Sequence, residues 1–139
     1  MTLDQATGTE LLAEARRTLL DTIMPSLPAN LRYDGLMVAN AMAITLREIT
    51  DGDAAREEIL RALAGLSDGA ASTPHDAKRD DSAIAPLERR LANDVRNGVF
   101  DEPGPARDRI RRALRTITAA RLRLSNPKAL AEDPKDRKK

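Results

Sequence analysis

The stretch YDGLMVANAMAITLREI, residues 33–49, decides the fold predicted for this chain. At 100° per residue along an α-helix, apolar side chains occupy most of the circumference of this stretch. The polar strip that remains is narrow and contains Asn40 and Arg47. A helix that is apolar over most of its surface is normally surrounded by other helices. The pattern therefore predicts a central core helix over residues 33–50, whose main apolar face comprises Val38, Ala39, Met42, Leu46 and Ile49.

The composition favours helices around this core helix. A chain of 139 residues has room for one domain with one modest core. Aromatic residues make up only 1% of the sequence and Trp is absent, so the core must be aliphatic, which suits packed helices better than a sheet. We therefore expect an all-α, single-domain bundle of about five helices spanning residues 9–125.

The composition also argues against several kinds of site. The chain has no cysteine and a single histidine, His75, so we expect no disulfide, metal site or cofactor. The formal net charge of +1 is too small to specify a partner. No apolar run approaches the ~20 residues that span a membrane, and the first residues lack a signal-peptide pattern. The sequence thus predicts a cytoplasmic protein without a membrane partner.

Capping residues and prolines set the predicted ends of the first three helices. Thr7 and Glu10 have capping-box spacing, and the first helix should end near Pro25, with Arg16 facing water. The central helix should stop near Gly52, and Asp53 should cap a separate third helix.

Composition then predicts the remaining segments. Residues 67–82 contain no large apolar residue, which predicts a mobile surface loop. A fourth helix should begin around Ile84 and end at Gly98, and a fifth should start just after Pro105 and reach about Leu124. The charged residues 126–139 should form a frayed tail.

The fifth predicted helix is rich in arginine, with seven Arg against one Asp over residues 107–123. This pattern is typical of a phosphate-binding face, but it also fits a solvated face that balances the acidic first half of the chain. Only Tyr33 and Phe100 could stack on bases, which disfavours nucleic-acid binding. The solvated face is the favoured interpretation.

Two polar residues each allow a structural and a functional interpretation, and the first of them, Arg121, lies on an apolar stripe. Arg121 follows Ile117 by one turn, so it needs either an internal carboxylate, such as Asp94 or Glu48, or a partner or ligand. Asn40 is similarly either a buried amide that ties backbones together or a ligand contact. For both residues the structural interpretation is favoured.

Nothing in the sequence points to catalysis. His75 lies in the predicted loop with only Asp76 and Asp80 nearby, which would leave a catalytic base without orientation. The chain has no glycine-rich phosphate loop and no metal-ligand spacing. We therefore expect no catalytic residue.

Several segments together carry a resemblance to a known family. They are residues 10–25 (ELLAEARRTLLDTIMP), 37–48 (MVANAMAITLRE), 87–101 (LERRLANDVRNGVFD) and 121–128 (RLRLSNPK). In this order they resemble a bacterial family of small all-helical proteins, a domain of unknown function. Members of that family are typically encoded beside aminoglycoside-phosphotransferase-like kinases and acyl-CoA dehydrogenases. One is the accessory subunit of the 4-hydroxyacyl-CoA kinase of levulinate breakdown.

The resemblance implies a non-catalytic subunit and a set of contact residues. The family motifs fall on residues 37–40, on Arg121 and on residues 126–128. Leu36 stands where many relatives have arginine, and Ala129 stands where they have an aromatic residue. The candidates for contact with a partner or ligand are Asn40, Arg47, Arg121, Asn126 and Lys128.

The leading hypothesis is an accessory subunit of a phosphotransferase-like hydroxyacyl-CoA kinase, with contacts to CoA or to an acyl-CoA dehydrogenase as further expectations. The alternatives are a free-standing acyl-CoA-binding protein and, less favoured, a basic nucleic-acid-binding module.

Overall fold

The computed structural model describes residues 6–66 and 83–131, and the regular elements in these ranges are all helical. The predicted all-α fold class is therefore confirmed for this part of the chain. The predicted loop at 67–82 lies outside the described residues, as do residues 132–139 of the predicted tail. The α-helices in the described ranges are α1 (Gly8–Thr18), α2 (Arg32–Ala64), α3 (Ile84–Arg96), α4 (Pro105–Ser125) and α5 (Lys128–Ala131).

Contacts along the chain define two compact units, Met1–Asp51 and Gly52–Lys139. We refer to them as the first and second units. Helix α2 contributes its first part to the first unit and its last part to the second. The single-domain organisation expected from the sequence stays a prediction.

Helix α2 differs from the predicted pair of helices. It runs without interruption for 33 residues, through the Asp51-Gly52-Asp53 sequence that was expected to end one helix and begin another. The predicted break is wrong. The described ranges contain five α-helices, the number predicted, but only because two predicted helices are one continuous helix and the short α5 was not predicted.

Burial of one face of α2 in the second unit explains why the helix continues through Gly52. Gly52, Ala55, Ile59 and Leu63 lie at helical spacing on one face, and all four are buried. Glycine costs about 1 kcal/mol relative to alanine inside a helix, but burial of a leucine or isoleucine contributes about 1.5–3 kcal/mol. Asp53, expected to be a cap, instead pairs with Arg56 one turn later at 2.9 Å. Burial of the apolar face thus outweighs the local preference for a break.

The first unit begins with the predicted capping box. The Thr7 hydroxyl accepts from the Glu10 backbone N–H at 3.2 Å, and the Glu10 carboxylate accepts from the Thr7 N–H at 2.7 Å. Two hydrogen bonds hold the pKa of the Glu10 carboxyl below its usual value. The larger effect comes from the Thr7 backbone N–H and the smaller one from the Thr7 hydroxyl. Helix α1 then continues as a π-helical turn, Leu19–Ile23, and as 3₁₀ turns at Met24–Ser26 and Ala29–Leu31.

Close packing in the first unit depends on a glycine and an arginine. A Cβ at Gly35 would lie 2.3 Å from the Met24 sulfur and 3.0 Å from a Leu27 methyl, so the absence of a side chain lets these residues approach α2. Arg16 was expected to face water. It is instead half-buried, and its Nε donates to the Ala39 carbonyl at 3.0 Å. Both contacts connect the segment around α1 to the first part of α2.

Among the described residues, eight of the nine buried apolar side chains lie in the second unit. One cluster combines α2 residues with residues of α3 and α4, and Leu87, Leu91 and Leu124 pack against it. Its buried members are Ala55, Ile59, Leu63, Ile84, Ile117 and Ala120. On the predicted core helix, by contrast, Ala39 is the one buried apolar side chain, while Val38 and Ile49 are exposed. The centre of burial thus falls later in the chain than the sequence predicted.

The ends of α3 and α4 follow the predicted turn residues. Helix α3 begins at Ile84, and Gly98 after it has a φ of 73°, a left-handed conformation that favours glycine. Helix α4 begins at Pro105, as its fixed φ predicts.

The buried face of α4 is rotated from the predicted one. It contains Ala113 and Ala120 beside Ile110 and Ile117, whereas Leu114 stays 45% exposed. Arg121, seven residues after Leu114, consequently lies at the edge of the face and not within it. The two alanines allow α4 to approach its neighbours closely.

This register predicts unequal costs for two similar substitutions. Ile117→Ala should lower the free energy of unfolding by about 2–5 kcal/mol, because it leaves a cavity in the core. Leu114→Ala should cost less than about 1 kcal/mol, because much of that side chain already contacts water. Urea unfolding of both variants measures the difference. Equal costs would contradict the register.

Candidate interaction site

The structure places the five predicted contact residues in two separate sets. Asn40 and Arg47 belong to the part of α2 in the first unit. Arg121, Asn126 and Lys128 belong to the second unit, at the end of α4 and the start of α5.

Large apolar side chains are exposed on one side of α2. Tyr33 is 70% exposed, Leu36 54% and Met37 49%. These residues and Asn40 follow the spacing i, i+3, i+4, i+7, so they share one face of the helix. We call these four residues the α2 outer face. Gly35 and Ala39, which are buried, lie on the opposite side of the same turns.

The two polar candidates of the first unit lie at one end of this apolar area. Asn40 is exposed, so its interpretation as a buried amide is wrong. Arg47 follows Asn40 by seven residues, which puts it on the same side of α2 and about 10 Å further along the axis. Arg47 is half-buried. The side of α2 that carries the outer face thus combines apolar area with an amide and a guanidinium.

Arg121 forms the internal ion pair that was expected of it, but with another partner. Its guanidinium pairs with Glu88 on α3, and not with Asp94 or Glu48. The side chains of Arg121 and Glu88 are 55% and 37% exposed, so water screens the pair. Arg123 forms a second ion pair, with Glu58 on α2. These pairs connect α4 to both neighbouring helices of the second unit.

Asn126 and Lys128 lie in the turn after α4. The Asn126 backbone N–H donates to the Leu122 carbonyl at 2.8 Å, and the Asn126 carbonyl accepts from Ala129 at 3.1 Å. The φ of −149° at Asn126 ends α4, and α5 begins at Lys128. Pro127 disfavours a helical conformation at the preceding residue, which fits the end of α4 at Asn126. The side chains of Asn126 and Lys128 are both exposed.

The second unit contains a groove that sequence analysis missed. It has a volume of about 390 Å³ and lies between the last turns of α2 and the first half of α4. We call it the arginine groove, because Arg61, Arg109 and Arg112 are among its lining residues. The others are Glu58, Ala62, Gly65, Leu66, Ala113 and Thr116. The spacing of Arg109 and Arg112 was visible in the sequence, but their proximity to Arg61 requires the fold.

The described part of the chain offers no metal-binding cluster, since no group of three His, Cys, Asp or Glu residues converges in it. Among its helices, none is both long and apolar enough to cross a membrane. His75 lies outside the described residues.

These features define a small all-α protein with an exposed apolar helix face and a basic groove. The model of a family described as "Domain of unknown function (DUF6285)" matches residues 25–129. The chain belongs to this family, and the match includes both α2 and the arginine groove. Comparison with curated proteins and with solved structures found no match.

The exposed ion pair of Arg121 predicts a small effect of its removal. Arg121→Met retains most of the apolar stem and removes the charged head, so the free energy of unfolding should fall by ~1 kcal/mol or less. A double-mutant cycle with Glu88→Gln should give a coupling energy of similar size. A coupling energy above about 2 kcal/mol would show that the pair is far less screened than the structure indicates.

Proposed function

We propose that this chain is a cytoplasmic, non-catalytic accessory subunit of an aminoglycoside-phosphotransferase-like hydroxyacyl-CoA kinase. The kinase binds the α2 outer face. The observation that carries this proposal is the exposure of Tyr33, Leu36 and Met37 on adjacent turns of one helix. Single exposed apolar residues are ordinary, but contiguous ones with a polar border are typical of protein–protein contacts.

The chemistry of the outer face suits a protein partner. Burial of each large apolar side chain contributes about 1.5–3 kcal/mol, and aromatic and Met side chains are enriched at the cores of interfaces. Asn40 and Arg47 supply hydrogen-bond donors beside this apolar area, which would orient the partner. A partner that covers the apolar residues therefore gains affinity from them and specificity from the polar pair.

The family supports the choice of partner. The α2 outer face lies inside the matched residues 25–129, and two of its residues, Met37 and Asn40, belong to the 37–40 segment, one of those that carry the resemblance. Leu36, which stands where many relatives have arginine, is part of the same face. A difference at this position fits a surface at which each family member is matched to its own kinase.

The non-catalytic assignment rests on what phosphoryl transfer requires. That reaction uses a lysine to hold the phosphates, acidic metal ligands and a base that orients the nucleophile. The sequence has no glycine-rich phosphate loop, and its only histidine lies in a segment with no apolar anchor. The chain therefore supports a kinase and leaves the chemistry to it.

Binding to an aminoglycoside-phosphotransferase-like kinase from the gene neighbourhood of this chain tests the proposal. Co-expression followed by size-exclusion chromatography should yield a complex. Leu36→Asp and Met37→Asp should each weaken the affinity about tenfold or more, because a charge would be buried in the interface. Both side chains are exposed, so the variants should melt close to the parent protein.

A matched control is Leu11→Asp, which places the same charge at a 60% exposed leucine of α1. This variant should bind the kinase with unchanged affinity. The proposal fails if the parent chain forms no complex, or if the two α2 variants bind as tightly as the parent. A gene neighbourhood without any such kinase would also count against it.

A further inference from the structure

The α2 outer face has the same chemical order when it is followed in either direction along the helix. Tyr33 and Asn40, at its two ends, each carry a side chain that donates and accepts hydrogen bonds. Leu36 and Met37, at its centre, are apolar, and each lies three residues from the nearer end. All four side chains are exposed, and none of them is charged. Such a face can match a second copy of itself without bringing like charges together.

A two-fold axis between Leu36 and Met37 pairs every residue of this face. In a two-fold interface, residue i contacts residue j of the other copy, and j contacts i. With the two α2 helices antiparallel, Tyr33 lies opposite Asn40 of the second copy, and Leu36 lies opposite Met37. The Tyr33 hydroxyl can then donate to the amide oxygen of Asn40, while the apolar side chains cover one another. A parallel pair of helices would instead place each residue opposite itself.

We propose that two copies of this chain associate through the α2 outer face as an antiparallel, two-fold symmetric dimer. The consequence for regulation rests on the proposed function. Because the kinase binds the same face, it binds the chain only after the dimer has dissociated. Self-association thus controls access to the kinase-binding surface.

The small size of the face implies a dimer that exchanges readily. Stable interfaces comprise roughly 20–30 residues on each side, whereas the outer face offers four. Burial of Tyr33, which is 70% exposed, together with Leu36 and Met37 favours association. The loss of translational and rotational freedom opposes it. The dissociation constant should therefore lie in the micromolar range, so that a partner with higher affinity can displace the second copy.

Analytical ultracentrifugation of the full chain measures this association without the kinase. The average mass should rise from one chain toward two over about a hundredfold range of micromolar concentration. Leu36→Asp should keep the chain monomeric over the same range, because it places two carboxylates beside the two-fold axis. Leu11→Asp, the same change at an exposed leucine of α1, should leave the dissociation constant within about threefold of the parent value.

Engineered cysteines test the antiparallel register, because the chain has no cysteine of its own. A disulfide requires two Cα atoms about 4.4–6.8 Å apart. Tyr33→Cys mixed with Asn40→Cys should therefore form a cross-linked dimer under mild oxidation by air. In the antiparallel pair, the two copies of position 33 lie ~10 Å apart along the helix axis. Tyr33→Cys alone should consequently cross-link at least about tenfold more slowly than the mixture.

Three results would overturn the proposal. The first is a parent chain that stays monomeric at the highest concentration, and the second is a Leu36→Asp chain that dimerises as tightly as the parent. The third is cross-linking of Tyr33→Cys alone at the rate of the mixture, which would contradict the antiparallel register. The melting temperature of each variant checks that loss of the dimer is not loss of the fold. Met37→Asp repeats the test if Leu36→Asp melts lower than the parent.

The kinase distinguishes this proposal from the proposed function. An excess of kinase should convert the parent dimer into a complex that holds one copy of the chain. The disulfide-linked dimer of Tyr33→Cys and Asn40→Cys should not bind the kinase, and reduction of the disulfide should restore binding. Equal binding of the linked and reduced forms would overturn the control by self-association. If the kinase binds no form of the chain, the proposed function fails, whereas the dimer is still decided by ultracentrifugation.

Discussion

The continuity of α2 is the constraint on which the rest of the structure depends. A single helix of 33 residues supplies the outer face in the first unit and one wall of the arginine groove in the second. Its sequence contains a glycine between two aspartates, which local preference alone would place at a helix end. Burial of Gly52 on the same face as Ala55 and Ile59 keeps the helix intact. The two candidate surfaces thus share one continuous backbone element.

Features set by neighbouring residues were predictable from the sequence. The capping box of Thr7 and Glu10 and the left-handed turn at Gly98 depend on hydrogen bonds and backbone angles within a few residues. The errors arose where tertiary packing decides between local alternatives. The predicted break at Gly52 did not take into account the free energy gained by burying the apolar face of α2 that follows this residue. The predicted face of α4 gave weight to Leu114 and overlooked Ala113 and Ala120, although small residues are what close helix packing needs.

In the candidate sites, too, the sequence predicted what neighbouring residues determine and missed what tertiary packing determines. The sequence indicated that Arg121 needs a carboxylate, because its neighbours one turn away along the helix are apolar and can be identified from the sequence alone. It could not identify Glu88, since that choice depends on how α3 lies against α4. Asn40 is exposed because the outer face of α2 is not covered within the described chain. The arginine groove joins residues about 50 positions apart, and no spacing rule along a single helix reveals it.

Amide hydrogen exchange of residues 50–56 in the free protein tests the continuity of α2 most directly. In one continuous helix, each of these amides donates to the carbonyl four residues earlier, so all should exchange as slowly as the amides of residues 57–60. If Asp53 instead capped a separate helix, the first amides after it would lack helical acceptors and would exchange rapidly. Slow exchange across the Asp51-Gly52-Asp53 sequence is the predicted result. A block of fast amides at residues 53–56 would contradict the account.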